Sequence, residues 1–271
     1  LQVLNELASE AEKTARVAIR LNPNVEAKTH KYITTGLNEN KFGIHEDQLP
    51  ELFDLLPTLD AVKLTGIHFH IGSQIRDLEP FRNLCRRVND YQNVFEENGF
   101  LLKHVNLGGG YGINYAEPDH ELIPDFESFF KVFDDHLEVR PGQEVHFELG
   151  RSIVGQCGSL ISRVLYIKEG KSTRFAVLDA GMTELIRPAL YQSDHKVDVL
   201  TSNLPQLTYD VVGPICESSD TFRNSVSLPE LQRGDLVAIR SAGAYGEVMS
   251  SGFNLREPAA TYYSDELLSS E

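Results

Sequence analysis

Glu148 and Arg151 stand three residues apart at the end of E-V-H-F-E-L-G-R, residues 144–151. The apolar residues Val145 and Phe147 before them suit a strand whose faces are covered. The carboxylate, Gly150 and the guanidinium then fall where such a strand meets its following loop, the usual place for chemistry in α/β architectures. An exposed strand end with an ion pair is the bland alternative. Two further stretches end in a similar way. His70 with Gly72-Ser73 closes L-T-G-I-H-F-H-I, and Gly108-Gly109-Gly110 follows a short apolar run at residues 104–107. A glycine triplet lets backbone N–H groups approach an anion, and a serine hydroxyl adds a donor, so the pair suggests a phosphate anchor. His68 and His70 share one face of a strand, and His146 and Glu148 repeat that spacing. Paired metal ligands are presented in the same way, which makes a zinc-type hydrolase barrel a rival. Glycine triplets contribute nothing to metal binding, and no metal site is expected.

The second half of the chain carries another set. D-A-G-M ends a run at 179–182, and R-P-A-L-Y places Arg187 near Tyr191. G-P-I-C-E-S-S-D, residues 213–220, joins the thiol of Cys216 to Glu217 and Asp220, and A-G-A-Y-G surrounds Tyr245 with small residues. Each could be structural, Arg187 as a surface ion-pair partner or Tyr245 as a core aromatic. Their clustering in glycine-rich turns after strands argues for a site.

The elements that position these residues follow from periodicity. Leu1, Leu4, Ala8 and Ala11 recur at helical spacing, so the chain opens inside a helix. A strand at 17–22 follows, then a Thr-, Gly- and Asn-rich loop over 29–43, a helix marked by Leu49, Leu52, Phe53 and Leu56, and a strand at 64–71. Asp77 is the expected N-cap of a long helix with a stripe of Leu78, Phe81, Leu84, Val88, Tyr91 and Phe95, stopped by Gly99. Cys85 beside that stripe reads as core. After the strand at 104–107, Asp125 starts a helix with Phe126, Phe129, Phe130, Phe133 and Leu137 inward. Four strands alternating with four helices imply parallel strands with right-handed crossovers. Four such units make half of a (β/α)8 barrel, which cannot close or bury its strand edge alone. A four-stranded flavodoxin-like domain competes, although the linkers are long for one. Beyond residue 153 the rhythm changes to β-rich runs at 160–167, 174–178, 209–212 and 235–240. The expected organisation is α/β plus β: a partial barrel over 1–153, then an all-β domain over 154–271.

The 271 residues carry a formal net charge of -15. That argues against nucleic-acid or anionic-membrane partners, which need a basic footprint, and its simplest meaning is solubility. No apolar run is long enough to cross a bilayer and no secretory signal opens the sequence. Three scattered cysteines suit reduced thiols in a cytoplasmic protein.

Taken in order, G-I-H-F-H-I-G-S-Q, N-L-G-G-G-Y-G-I, F-E-L-G-R, G-P-I-C-E-S-S-D and S-A-G-A-Y-G resemble the diaminopimelate decarboxylases. These belong to the fold-type III pyridoxal-phosphate-dependent decarboxylases, with an alanine-racemase-like barrel and a β domain. The resemblance covers roughly residues 17–245 and implies pyridoxal 5'-phosphate as cofactor, an amino-acid substrate and a homodimer. It implies that His70 stacks on the pyridine ring, that Glu148 pairs with the pyridine nitrogen, and that Ser73, Gly109, Gly110 and the backbone at Gly150-Arg151 hold the phosphate. Arg151, Arg187 and Tyr191 would bind substrate carboxylate, Glu217 a substrate ammonium, and Tyr245 both cofactor and substrate. Cys216 would return a proton after CO2 leaves, with Cys216 and Glu217 reaching the site from the partner subunit. Arginines at a distal carboxylate favour diaminopimelate over ornithine or arginine.

Two departures stand out. The family pattern E-P-G-R reads E-L-G-R here, with Leu149 in place of proline, a change that moves neither charge. The Schiff-base lysine of the family lies in Y-A-x-K-A-N, which does not occur in this sequence. A longer parent chain supplying that lysine is expected, with the 271 residues inactive alone; a non-catalytic relative is the other reading of the missing motif.

Overall fold

In this computed structural model, which describes residues 1–25 and 41–268, the chain divides into two compact units. One comprises residues 1–112 and 123–152; the other comprises residues 113–122 and 153–271. Most of the loop expected at 29–43 lies outside the described residues.

The first unit is a four-stranded parallel sheet in the order β1 (Ala15–Arg20), β2 (Val62–His68), β3 (His104–Asn106) and β4 (Glu144–His146). The helices between them are α1 (Gln2–Glu10), α2 (Leu49–Leu55), α3 (Glu79–Glu97) and α4 (Phe126–His136). α3 forms because its apolar residues recur at helical spacing: Phe81, Leu84, Cys85, Val88 and Phe95 are all fully buried. Each such side chain contributes about 1.5–3 kcal/mol relative to exposure. Burial pushes the Cys85 thiol up to about 12, so it stays a neutral core residue. Asp77 accepts from Glu79 N–H at 2.9 Å, but the helix itself is capped at Leu78. Asp125 caps α4 as expected, accepting from Ser128 N–H at 2.9 Å. Phe130 is 38% exposed rather than inward. β4 also departs from expectation: Val145 and Phe147 are half-buried, because β4 pairs with β3 alone and lies at the sheet edge.

The strands share one register. Arg20, His68, Asn106 and His146 are successive neighbours across the sheet. Strand side chains alternate in direction, so this row shares a face with His104 and Glu144 below it and Glu148 above it. The opposite face carries Ile19, Ile67, Phe69, Val105, Leu107, Val145 and Phe147, all packed into the hydrophobic core shared with the helices. One polar face and one helix-covered face suit an open half of a barrel, whereas a doubly wound sheet needs both faces apolar.

The second unit is a six-stranded sheet of β5 (Leu160–Glu169), β6 (Arg174–Leu178), β7 (Val197–Val199), β8 (Gln206–Val212), β9 (Thr221–Pro229) and β10 (Leu236–Ile239). The strand order is β7-β10-β5-β6-β8-β9, antiparallel except for β6 beside β8. Its own core gathers Val164, Leu178, Tyr209, Val211, Val237 and Ile239. The short helices α5 (Arg151–Val154) and α6 (Arg187–Tyr191) follow β4 and β6. None of the described helices is long and apolar enough to cross a membrane.

Candidate active site

The strand ends of the first unit form a connected polar floor. Parallel pairing continues past the strands proper: Phe69 N–H donates to Asn106 O at 2.8 Å, Leu107 N–H to His146 O at 2.9 Å, and Glu148 N–H to Gly108 O at 2.7 Å. The residues after each strand are therefore held in register with one another. Asn106 bridges two of these ends, donating through Nδ2 to Glu148 Oε1 at 2.8 Å and accepting from Gly108 N–H at 2.9 Å. His68 Nε2 lies 3.5 Å from Glu148 Oε2. The Glu148 carboxylate is thus aimed by two side chains from two neighbouring strands.

Glycine is required here for space and for backbone angle. Gly108 has φ +68, and a Cβ on Gly109 would lie 2.2 Å from Glu148 O. Gly109 N–H donates to His70 Nδ1 at 3.2 Å. That bond fixes the neutral ring with its proton on Nε2. Burial lowers the His70 imidazole below its ordinary value, Arg20 and His68 lower it further, and Glu148 opposes them. His68 is lowered first by burial as well, with Glu148 opposing. Gly110 O accepts from Ile75 N–H at 2.9 Å, tying the glycine triplet to the chain just after Ser73. Arg151, 5% exposed at the start of α5, donates through Nη2 to Ser73 Oγ at 2.9 Å. Gly150 is exposed, with open space where a side chain would be.

In the second unit Arg187 is buried, 3% exposed, at the first residue of α6. Its guanidinium carbon lies 5.0 Å from the ring centroid of Tyr115, 5.4 Å from that of Tyr191 and 5.8 Å from that of Tyr245. Arg187 is therefore a buried group, not one at the surface. Cation–π contacts in a desolvated setting hold such a group in place at about 2 kcal/mol each or less. Tyr245 adopts φ +65 and is 41% exposed. Cys216 and Glu217 sit on the turn before β9, both exposed, with Glu217 Oε2 accepting from Ser219 Oγ at 3.1 Å. Asp220, in the same motif, is buried instead. Its carboxylate accepts from Met182 N–H at 2.6 Å and Ile215 N–H at 2.7 Å, shaping the turn that carries Cys216. Burial pushes its carboxyl up.

Sequence reasoning brings out His70, Ser73, Gly109, Gly110, Glu148 and Arg151, and the structure places them along adjoining strand ends of one unit. It does not bring out Arg20, Asn106 or Tyr115. Asn106 was detectable by counting strand parity, since it stands level with His68 and His146. Among the described residues of this unit, Lys63 and Lys103 are exposed at the opposite ends of their strands, and Lys131 is paired with Asp135.

This donor set fits pyridoxal phosphate: a fixed carboxylate for a ring nitrogen, a neutral imidazole for a ring face, and a serine–arginine pair beside a glycine triplet for a phosphate. Comparison with known proteins agrees. Residues 1–155 match the family described as pyridoxal-dependent decarboxylase, pyridoxal binding domain. The chain is 55% identical over 268 residues to the diaminopimelate decarboxylase of Bacteroides thetaiotaomicron, covering 99% of this chain and 69% of that protein. It is 40% identical to that of Aquifex aeolicus, covering 96% of this chain and 61% of that one. The crystal structure of diaminopimelate decarboxylase from Helicobacter pylori complexed with L-lysine superposes with a TM-score of 0.85 at 40% identity, over 92% of this chain and 62% of that chain. The chain thus spans roughly three fifths to two thirds of these relatives. By motif order, fold and identity, it belongs to the pyridoxal-dependent diaminopimelate decarboxylases.

Proposed function

We propose that the protein acts as the carboxy-lyase converting meso-2,6-diaminopimelate to L-lysine and CO2, the last step of lysine biosynthesis. The 55% identity to a diaminopimelate decarboxylase over 99% of the chain carries this reading. Bound pyridoxal phosphate supplies the electron sink for the pair released with CO2. Glu148, aimed by Asn106 and His68, holds a proton at the pyridine nitrogen. Neutral His70 would supply an uncharged face to the cofactor ring. Ser73, Gly109, Gly110 and the Gly150-Arg151 backbone take the phosphate, and the Arg151–Ser73 bond supports giving the Arg151 guanidinium to phosphate as well. Arg187 is left to grip the distal carboxylate, with Tyr191 and Tyr245 beside it. Cys216 returns a proton to the carbon that loses CO2, and Glu217 meets a substrate ammonium, both contributed by the partner subunit of a cytoplasmic homodimer.

The test is CO2 release and lysine formation by the full gene product with meso-diaminopimelate, ornithine and arginine in parallel. Turnover of diaminopimelate alone is expected; turnover of ornithine or arginine in its place would overturn the substrate assignment. Sedimentation of the purified enzyme checks the dimer.

A further inference from the structure

On the polar face of the parallel sheet, at and one layer below the level of Asn106, three metal-ligating groups meet. His104 on β3 is the direct cross-strand partner of Glu144 on β4, and His146 lies two residues further along β4 on the same face. His104 Nδ1 is 3.0 Å from His146 Nε2 and 3.5 Å from Glu144 Oε2, and His146 Nε2 is 3.7 Å from the same carboxylate oxygen. All three potential ligand atoms lie within 4.8 Å of one another.

Three electron-pair donors facing one another at these distances cannot all be satisfied by the protons available to neutral imidazoles. One ring N–H can serve the 3.0 Å contact and leaves the carboxylate beyond hydrogen-bond length. A divalent ion satisfies all three. For tetrahedral coordination at about 2.0–2.1 Å, neighbouring ligand atoms stand about 3.3 Å apart. The observed 3.0, 3.5 and 3.7 Å bracket that value. The ligands come from two hydrogen-bonded strands whose register is fixed by backbone pairing, so little ordering is left for the ion to impose. Two imidazoles and one carboxylate select a zinc-class ion over magnesium or calcium, which prefer all-oxygen sets.

We propose that His104, Glu144 and His146 form a binding site for one zinc-class divalent ion, with the fourth position open to solvent. The ion would clamp β3 to the edge strand β4 directly beneath the residues that aim Glu148. Its assignment is independent of the decarboxylase reading.

The experiment uses the metal-stripped full gene product, titrated with zinc sulfate by calorimetry and with cobalt(II) by visible absorption. One equivalent of zinc is expected, with a cobalt spectrum of the intense tetrahedral type and no response to magnesium. H104A and H146A should each weaken zinc binding by at least about tenfold, since even second-shell changes cost that much. Glu144→Gln, a same-shape change at an exposed side chain, keeps the fold intact and should weaken zinc and shift the cobalt bands. Zinc should also raise the melting temperature of the parent chain and not of H146A, because ligand bound to the native state alone stabilises by mass action. Unchanged zinc affinity in E144Q together with either histidine variant, or no saturable binding to the parent chain, would overturn the proposal.

Discussion

The molecule holds its two kinds of candidate side chain by different physics. On the floor of the parallel sheet, the Glu148 carboxylate is aimed by a directional bond from Asn106 at 2.8 Å, with the His68 ring beside it at 3.5 Å, and both partners are set by sheet register. In the second unit, the Arg187 guanidinium sits among three tyrosine rings at 5.0–5.8 Å, a setting without directional demand. The first arrangement fixes the direction of a carboxylate. The second fixes a charge in a low-dielectric place among ring faces. The former suits the proposed pairing of Glu148 with one ring nitrogen, and the latter the proposed grip of Arg187 on one end of a flexible substrate.

The largest effect should come from the floor. Glu148→Gln preserves size and can still bond Asn106, but it removes the negative charge, so kcat in the full gene product should fall by about 10²–10³-fold. Steady-state kinetics with cofactor in excess checks this; a kcat within a few fold of the parent would show that the directional arrangement is not used for proton placement. Next in size is Gly109→Ala. Its Cβ would lie 2.2 Å from Glu148 O, a backbone atom that cannot swing aside, so the strand ends must part. A loss of roughly 1–3 kcal/mol is expected in denaturant unfolding. Gly252→Ala serves as the control for glycine replacement away from positive φ, since the one atom near its Cβ is Arg256 O at an ordinary 3.8 Å.

How much of this was legible in the sequence divides along the same line. Features carried by local chain chemistry read directly: the Asp125 cap, the α3 stripe, the glycine triplet at a strand end and the nearness of Arg187 to Tyr191. Features made by register or long-range packing did not. Asn106 matters because it stands level with His68 and His146, and no motif says so. Tyr115 meets Arg187 from a segment that precedes it by 72 residues and that packs with the second unit. β9 escaped notice because Ser225 sits at φ +52 and the β8–β9 register shifts nearby, which breaks the period-two alternation of its buried residues. β7 is three residues long, too short for any period. Phe130 looked inward from its helical position, yet the α4 face it occupies is only partly covered, and it meets the sheet through the Phe147 ring at 5.1 Å. Glu217 and Asp220 looked equivalent in one acidic turn; burial separates them, one exposed and one organising the loop.

A smaller effect should follow from the aromatic setting. Arg187→Lys keeps the charge and loses the planar fork and the ring stacking, so KM for diaminopimelate should rise about tenfold or more with kcat changed less. Tyr115→Leu removes one ring from the Arg187 setting and should raise KM by a few fold, within the range of one cation–π contact. Equal losses in kcat for both variants would mean that Arg187 acts on the reacting atoms and not on a distal group.

The smallest effect separates the directional floor from the aromatic setting by pH alone. Burial, Arg20 and His68 hold the His70 ring below its ordinary value of 6.5, and its Nδ1 must stay unprotonated to accept Gly109 N–H. Protonation would turn that acceptor into a donor facing a donor. The unfolded chain binds this proton near pH 6.5, and the folded chain binds it only at lower pH. Between those two values the unfolded state carries more protons, so folding stability falls as pH drops below about 6.5. His70→Asn keeps an acceptor for Gly109 N–H and cannot titrate in this range. Urea unfolding from pH 7.5 down to pH 5 should therefore show a shallower loss of stability in His70→Asn than in the parent chain, while Arg187→Lys, which leaves the Gly109–His70 bond untouched, should follow the parent slope. Identical slopes for His70→Asn and the parent would mean that the Gly109–His70 bond is not what keeps this ring neutral.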